Sequence, residues 1–402
     1  KLKKLSILLI ALLIFFPEVS LDTSLAIDKN SIYSIYLYKF LTITIADYLL
    51  IILTIILIST KPFGIFKLGI IWPIFYIYIF YIILGIYFNW LVAFEIKALL
   101  YDIKASLYLF IPFLILKKFY NDIELKESHL YLVATLYISG IFYDAIFVNY
   151  FSSPEYSSII GLPIIYEVLP ITILFGLAFL TKFSSTKILF IIFFLWEILS
   201  SFNRGNIGNM FRIGVAFSAF IIVKIRQSFI TSIVLFFIFF YLIIIALPVI
   251  LYGINIPFFS GVKELGWEIR RLEVVNFFLN SFNNFPLLLG KGLGSTWKEI
   301  ISTGGGIYSY GPFEMSENKF IWHNTIAGAF YKFGILGSFF LILPLSLIAA
   351  KLIKLYKEYQ IQIAVLLAYL VLSFVMINVN GIGILKGALL SSVILFMCDN
   401  VL

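Results

Sequence analysis

The residue best suited to proton transfer is His323, one of only two histidines in the chain. It stands in the string IWHNTIAGAFYKFGILG, immediately before an apolar stretch. An imidazole at such a boundary can reach both water and a bilayer surface, and its titration near neutral pH suits a general base. The alternative interpretation is an interfacial histidine beside a helix-capping residue, Asn324. The residue pattern leaves both interpretations open.

A first candidate for anion binding is Arg204, which interrupts the string SSFNRGNIG. Asn and Gly disfavour helix continuation there, and a guanidinium at a membrane edge is costly unless an anion or a carboxylate pairs with it. Its planar fork of donors suits a phosphate or a diphosphate. An ion pair with Glu197 on the preceding stretch would also satisfy it.

Arg270 and Arg271 form a second basic site, in the string GWEIRRLEVVNFFLN. The apolar residues around them have helical spacing: Leu272, Val275, Phe278 and Leu279. This pattern predicts an amphipathic helix that lies on a membrane with its arginines at the level of the lipid headgroups. Either arginine alone could instead belong to a solvated or lipid-binding face.

The composition indicates which elements would position these side chains. Hydrophobic residues make up 62% of the 402 residues, charged residues make up 12%, and the mean hydropathy is +1.06. Charged residues are roughly a quarter of an ordinary soluble protein, so this pattern predicts an all-α, polytopic transmembrane bundle of about 12 helices. The predicted spans are 5–20, 40–59, 68–88, 98–116, 129–149, 162–181, 188–202, 207–223, 228–250, 325–349, 360–377 and 382–399.

Lysine and arginine concentrate at every second boundary of these spans, as in cytoplasmic loops. The bias predicts cytoplasmic N- and C-termini and a large periplasmic or extracellular loop, 251–324, within a single integral-membrane domain, 1–402. The lysines at 1, 3 and 4, followed by an apolar run, could belong to a cleaved signal peptide. Since a small-residue cleavage site is not evident, we interpret this segment as a retained first helix.

Other sequence signals are weaker. The string GKGLGSTW (290–297) superficially resembles a nucleotide loop but follows no predicted strand, so we interpret it as a tight glycine turn. Charged residues inside the apolar stretches could form a transport path, form buried pairs or lie near helix ends. These residues are Asp47, Lys104, Asp144, Glu167, Glu197 and Arg212.

Metal, cofactor and nucleic-acid partners are not expected. The single cysteine, Cys398, excludes an intramolecular disulfide and a multi-thiolate site, and acidic residues with metal-ligand spacing are absent from the sequence. The net charge of +8 is distributed over loop boundaries, as in membrane proteins, rather than in a nucleic-acid-binding patch.

Several short motifs occur in a recognisable order. They are an Arg-Gly pair (Arg204 and Gly205), a large loop with Arg271, the string FPLLLGKGLG (285–294), the pair His323 and Asn324, and Gly334. This order resembles the O-antigen ligase/O-antigen polymerase superfamily over about residues 187–345. The sequence departs from the family pattern at Asn203, where a serine is common, and at Val275, where an aromatic residue is common.

The resemblance implies a GT-C-like, inverting, metal-independent glycosyltransferase at the outer face of a bacterial inner membrane. It implies that Arg204 and Arg271 bind the diphosphate, with Arg270 as the alternative to Arg271, and that His323 engages the acceptor hydroxyl. The implied partners are a polyprenyl-diphosphate-linked glycan donor, a glycan or lipid-linked acceptor, membrane lipids and a chain-length regulator. A polysaccharide or small-anion transporter that uses the intramembrane charges is the alternative function.

Overall fold

The computed structural model of this chain describes residues 1–15, 45–60, 72–92, 96–120, 127–143, 188, 191–192, 275–281, 286–298, 300–301, 318–319, 328, 330–341, 343 and 384–401. These residues are mostly helical. The helices are α1 (Leu2–Phe15), α2 (Ile45–Ser59), α3 (Trp72–Val92), α4 (Ile96–Tyr120), α5 (Glu127–Tyr143), α6 (275–281), α7 (Pro286–Leu289), α8 (330–341) and α9 (Ile384–Val401). Two short strands, β1 (Trp297–Lys298) and β2 (Asn318–Lys319), pair in antiparallel fashion, with Trp297 opposite Lys319.

The predicted bundle of about 12 transmembrane helices is wrong. In the part of the chain that the structure describes, no helix has both the length and the apolarity needed to cross a bilayer. Helices α1, α2 and α5 have 14, 15 and 17 residues, whereas a crossing needs about 20. The longest helix, α4, has 25 residues, but charged side chains such as Asp102 and Lys104 interrupt its apolar sequence.

Helix α4 is the centre of the packing, since it contacts α1, α2, α3 and α9. Phe113 and Ile115 on this helix are fully buried. Two ion pairs attach it to its neighbours. Lys104 lies 2.8 Å from the carboxylate of Asp47 on α2, and Lys117 pairs with Asp399 on α9. Each pair neutralises two charges that are largely removed from solvent.

The ion pair between Asp47 and Lys104 bears on the roles considered for charges inside apolar stretches, and Asp47 lies in the first turn of α2. The hydroxyl of Tyr108 also donates to Asp47, at 3.0 Å, so the carboxylate is held by two groups of α4. This arrangement is a partly buried pair between neighbouring helices. The other charged residues of that set, Asp144, Glu167, Glu197 and Arg212, lie outside the described residues.

Candidate functional site

The four residues predicted to carry the chemistry, Arg204, Arg270, Arg271 and His323, lie outside the described residues. Their convergence on one cavity therefore stays a prediction. The structure does describe the elements next to three of them. Helix α6 is described from Val275, four positions after Arg271 in the sequence, and helix α8 is described from Phe330, seven positions after His323. The site can be built from these two helices and from the glycine-containing segment between them.

The segment 290–294, which we call the glycine loop, is held by hydrogen bonds from four consecutive backbone amides. Their acceptors lie on three helices, α3, α4 and α8, that are distant in sequence. The amides of Lys291 and Gly292 donate to the carbonyls of Tyr331 and Lys332 at 2.8 Å each, that of Leu293 donates to the carbonyl of Tyr81 at 2.9 Å, and that of Gly294 donates to Asp102 Oδ2 at 2.6 Å.

These hydrogen bonds decide what the glycine loop can do. A phosphate-binding loop presents backbone N–H groups to the ligand. Here the amides of residues 291–294 are all directed at acceptors within the protein. The loop is therefore a docking element that fixes the backbone between helices, in agreement with the interpretation of this string as a turn.

The glycine spacing of the loop has a steric cause. Gly292 and Gly294 have φ angles of 83° and 77°, in the left-handed region that side chains rarely adopt. A Cβ on Gly294 would lie 2.6 Å from the Cα of Leu99 on α4, and a Cβ on Gly292 would collide with the backbone of Gly85 on α3. Larger residues at these positions would push the loop away from both helices.

An ion pair that is almost completely buried holds the C-terminal end of the loop. Lys332 Nζ on α8 lies 2.9 and 2.8 Å from the two carboxylate oxygens of Asp102 on α4, and the two side chains are 1% and 6% exposed. Asp102 is also the acceptor for the Gly294 amide. A single carboxylate thus joins α4, α8 and the glycine loop, and its charge is compensated by the ammonium.

Helix α8 is also fixed against α3. The hydroxyl of Tyr81 donates to the carbonyl of Phe333 at 2.6 Å, and the two rings lie 4.9 Å apart. The next residue of α8, Gly334, has a φ angle of 62°, and its backbone packs against the backbone of Gly290. The two glycine-containing motifs of the family resemblance, 285–294 and Gly334, are therefore in direct contact.

Lys291 is the basic side chain of the glycine loop, and it is tied twice to Tyr331. Its amide donates to the Tyr331 carbonyl, and its Nζ donates to the Tyr331 hydroxyl at 2.7 Å and lies 4.9 Å from the centre of that ring. The hydroxyl in turn donates to the carbonyl of Thr296 at 2.9 Å. The side chain is half-buried, and this desolvation lowers the pKa of Lys291.

Helix α6 has an unusual distribution of polarity. Three residues predicted to form its apolar stripe, Val275, Phe278 and Leu279, are between 36% and 45% exposed. The polar Asn276 is fully buried on the opposite side. Its Oδ1 accepts from the amides of Ile300 and Ile301 at 2.8 and 2.9 Å, and its Nδ2 donates to the carbonyl of Ile301. Asn276 and the apolar Phe277 both face the protein, and the stripe of Val275, Phe278 and Leu279 faces outward.

An aromatic cluster joins α6 to the rest of the site. Phe277 is buried with Trp297 and Tyr331, and the rings of Phe277 and Tyr331 are 6.5 Å apart. The ring of Tyr331 therefore contacts α6, and its hydroxyl accepts a hydrogen bond from Lys291. Tyr331 is thus the residue that links the Lys291 ammonium to Phe277 of α6.

The residues that organise this region were not among the sequence candidates. Asp102 and Lys332 are separated by 230 positions, and each lies within an apolar stretch. A charge in such a stretch is the signal that could have identified them. Lys291 lies inside the predicted turn, where a lysine carries no distinguishing pattern.

The chain matches no protein-family model, no curated protein and no solved structure. The resemblance to the O-antigen ligase/O-antigen polymerase superfamily therefore stays a prediction, made from the order of short motifs in the sequence.

Proposed function

We propose that this protein is a glycosyltransferase that transfers or polymerises polyprenyl-diphosphate-linked oligosaccharide at the outer face of a bacterial inner membrane. The observation that supports this most is the polarity of α6. A helix that buries an asparagine and exposes Val275, Phe278 and Leu279 is suited to contact with lipid. The arginine pair directly precedes that stripe, so cationic groups and a lipid-facing surface are adjacent in the sequence.

The roles of the residues follow from the chemistry of such a transfer. The diphosphate leaving group gains negative charge as the bond to the anomeric carbon breaks, and positioned arginines stabilise that charge. In our proposal Arg204 and Arg271 bind the diphosphate, with Arg270 as the alternative to Arg271. His323 accepts the proton of the attacking hydroxyl on the acceptor glycan. We favour polymerisation over ligation, because the predicted loop 251–324 is of moderate length and its sequence does not indicate an additional domain for a protein acceptor.

Transfer assays with purified protein and lipid-linked donor test these roles. His323→Ala is expected to lower turnover by about 10²–10⁴, the usual contribution of a general base, and to leave donor binding intact. Arg204→Ala is expected to weaken donor binding with the histidine still present. Arg204→Lys should rescue only in part, because an ammonium lacks the planar two-pronged contact. A His323→Ala variant with full transfer activity would eliminate the histidine as the base.

The choice between polymerase and ligase is decided in cells. Deletion of the gene followed by gel analysis of the surface polysaccharide should show single-repeat units if a polymerase is lost. Full-length polymer that remains on its carrier would instead identify a ligase. Surface polysaccharide that is unchanged in length and attachment would contradict both forms of the proposal.

A further inference from the structure

We propose that Lys291 is an additional binding residue for the diphosphate of the lipid-linked donor. The inference rests on the proposed function for the identity of the lipid, but the ammonium site itself is argued from contacts in the structure. The ligand chemistry is a diphosphate diester, in which two negatively charged phosphoryl groups are linked to a polyprenyl chain and to a sugar.

Lys291 differs from other lysines near helix α4 in the groups that its ammonium contacts. Three other lysines near helix α4 each pair with a carboxylate: Lys104 with Asp47, Lys117 with Asp399, and Lys332 with Asp102. Among the described residues, Lys291 has no carboxylate partner, and its Nζ contacts the hydroxyl and the ring of Tyr331 instead. A half-buried ammonium without a counter-ion is costly, and an anionic ligand would offset that cost.

The Lys291 ammonium is held in a fixed position by its neighbours. An ammonium has three donors, and one of them is used by the Tyr331 hydroxyl. Because the backbone amide of Lys291 is bound to the same residue, both ends of the side chain are positioned by helix α8. The glycine loop is itself held by α3 and α4. The cation is therefore held in place before a ligand arrives, and less conformational entropy is lost on binding.

The Lys291 ammonium lies near helix α6. Tyr331, which positions the ammonium, also packs against Phe277 of α6, the helix with the outward apolar stripe. A lipid whose chain lies against that stripe would bring its phosphoryl groups to the protein near this cluster.

The test is a binding measurement on the purified full-length chain in detergent. The ligand is a polyprenyl diphosphate diester, and inorganic diphosphate and vesicles of anionic phospholipid are the comparison ligands. Lys291→Met is expected to weaken binding of the diester by about 10- to 100-fold, as for loss of a charge-assisted hydrogen bond. Lys298→Met, which removes an exposed lysine seven residues away, serves as the matched control and should change affinity by no more than about twofold.

The pH dependence provides an independent measurement if Lys291→Met folds poorly. Desolvation lowers the pKa of Lys291, and among the described residues Tyr331 is the titratable group that contacts it. A diphosphate diester has no proton that titrates above neutral pH, so binding to the native protein should fall as the pH rises through that lowered pKa. Lys291→Arg should bind the diester with little pH dependence, because arginine stays charged.

The inference is overturned if Lys291→Met binds the diester as tightly as the native chain, or if Lys298→Met loses as much affinity. It is also overturned if the native chain and Lys291→Arg have the same pH profile, or if the loss in Lys291→Met appears equally with phospholipid vesicles. A diester effect without one for inorganic diphosphate supports a lipid-linked ligand. If the diester binds through Lys291 but no glycan is transferred, the proposed function fails while this inference stands.

Discussion

Replacement of Lys332 by methionine should be among the most damaging substitutions in the described part of the chain. The side chain is 1% exposed, and its Nζ makes two hydrogen bonds of 2.9 and 2.8 Å to the Asp102 carboxylate. Methionine preserves most of the volume but removes the counter-ion, so a carboxylate that is 6% exposed keeps only the amide of Gly294 as a donor. Breaking a buried pair in this way costs about 3–5 kcal/mol.

The double substitution distinguishes an ion pair from two independent side chains. Asp102→Asn alone removes the carboxylate charge that the buried Lys332 ammonium contacts at 2.8 Å and should also cost about 3–5 kcal/mol. In the double variant both charges are removed, while the asparagine oxygen can still accept from Gly294, so we expect a total cost of only about 1–2 kcal/mol.

The assay is chemical unfolding in detergent, followed by tryptophan fluorescence, for the native protein, both single variants and the double variant. The coupling energy of this cycle should be several kcal/mol, because the two side chains interact directly. Strictly additive effects of the two substitutions would show that the pair does not stabilise the junction of α4, α8 and the glycine loop.

Three further outcomes are expected. Gly85→Ala should lower the unfolding temperature, because the new Cβ would collide with the carbonyl of Leu293. Alanine is favoured over glycine in a helix by about 1 kcal/mol, so a higher unfolding temperature would contradict this packing. Asn276→Ala should cost about 1–3 kcal/mol and speed proteolysis near residues 300–301, whose amides lose their acceptor, and an unchanged cleavage rate would refute this role. If Lys291 binds the donor as we propose, Lys291→Met should slow glycan transfer at low donor concentration more than at saturation. Equal slowing at both concentrations would assign it another role.

The sequence predicted where helices lie along the chain better than it predicted whether they cross a membrane. Apolar stretches at 40–59, 68–88 and 98–116 coincide with α2, α3 and α4. Apolar composition predicts that a segment is removed from water, but it does not distinguish lipid from neighbouring helices. Helix α4 carries charges whose partners lie on α2, α8 and α9, and no helix among the described residues has both the length and the apolarity needed to cross a bilayer.

The turn at 290–294 was predictable, whereas its partners were not. Alternating glycines indicate backbone in unusual conformations, and the structure gives Gly290, Gly292 and Gly294 positive φ angles. The acceptors of the loop amides come from segments about 190 and 40 residues away, such as Asp102 and Tyr331. A single sequence contains no signal for such pairings, because they depend on how the helices pack.

The glycine loop and the buried ion pair have a common consequence for the proposed chemistry. A diphosphate leaving group is stabilised most by cations that are already in position, because reorganisation during the reaction would cost free energy. Lys291 reaches that condition through its two bonds to Tyr331, and Tyr331 is held because the neighbouring Lys332 is anchored to Asp102. In our proposal the buried carboxylate on α4 therefore contributes to donor binding without contacting the donor. Its substitution should weaken binding through displacement of Lys291.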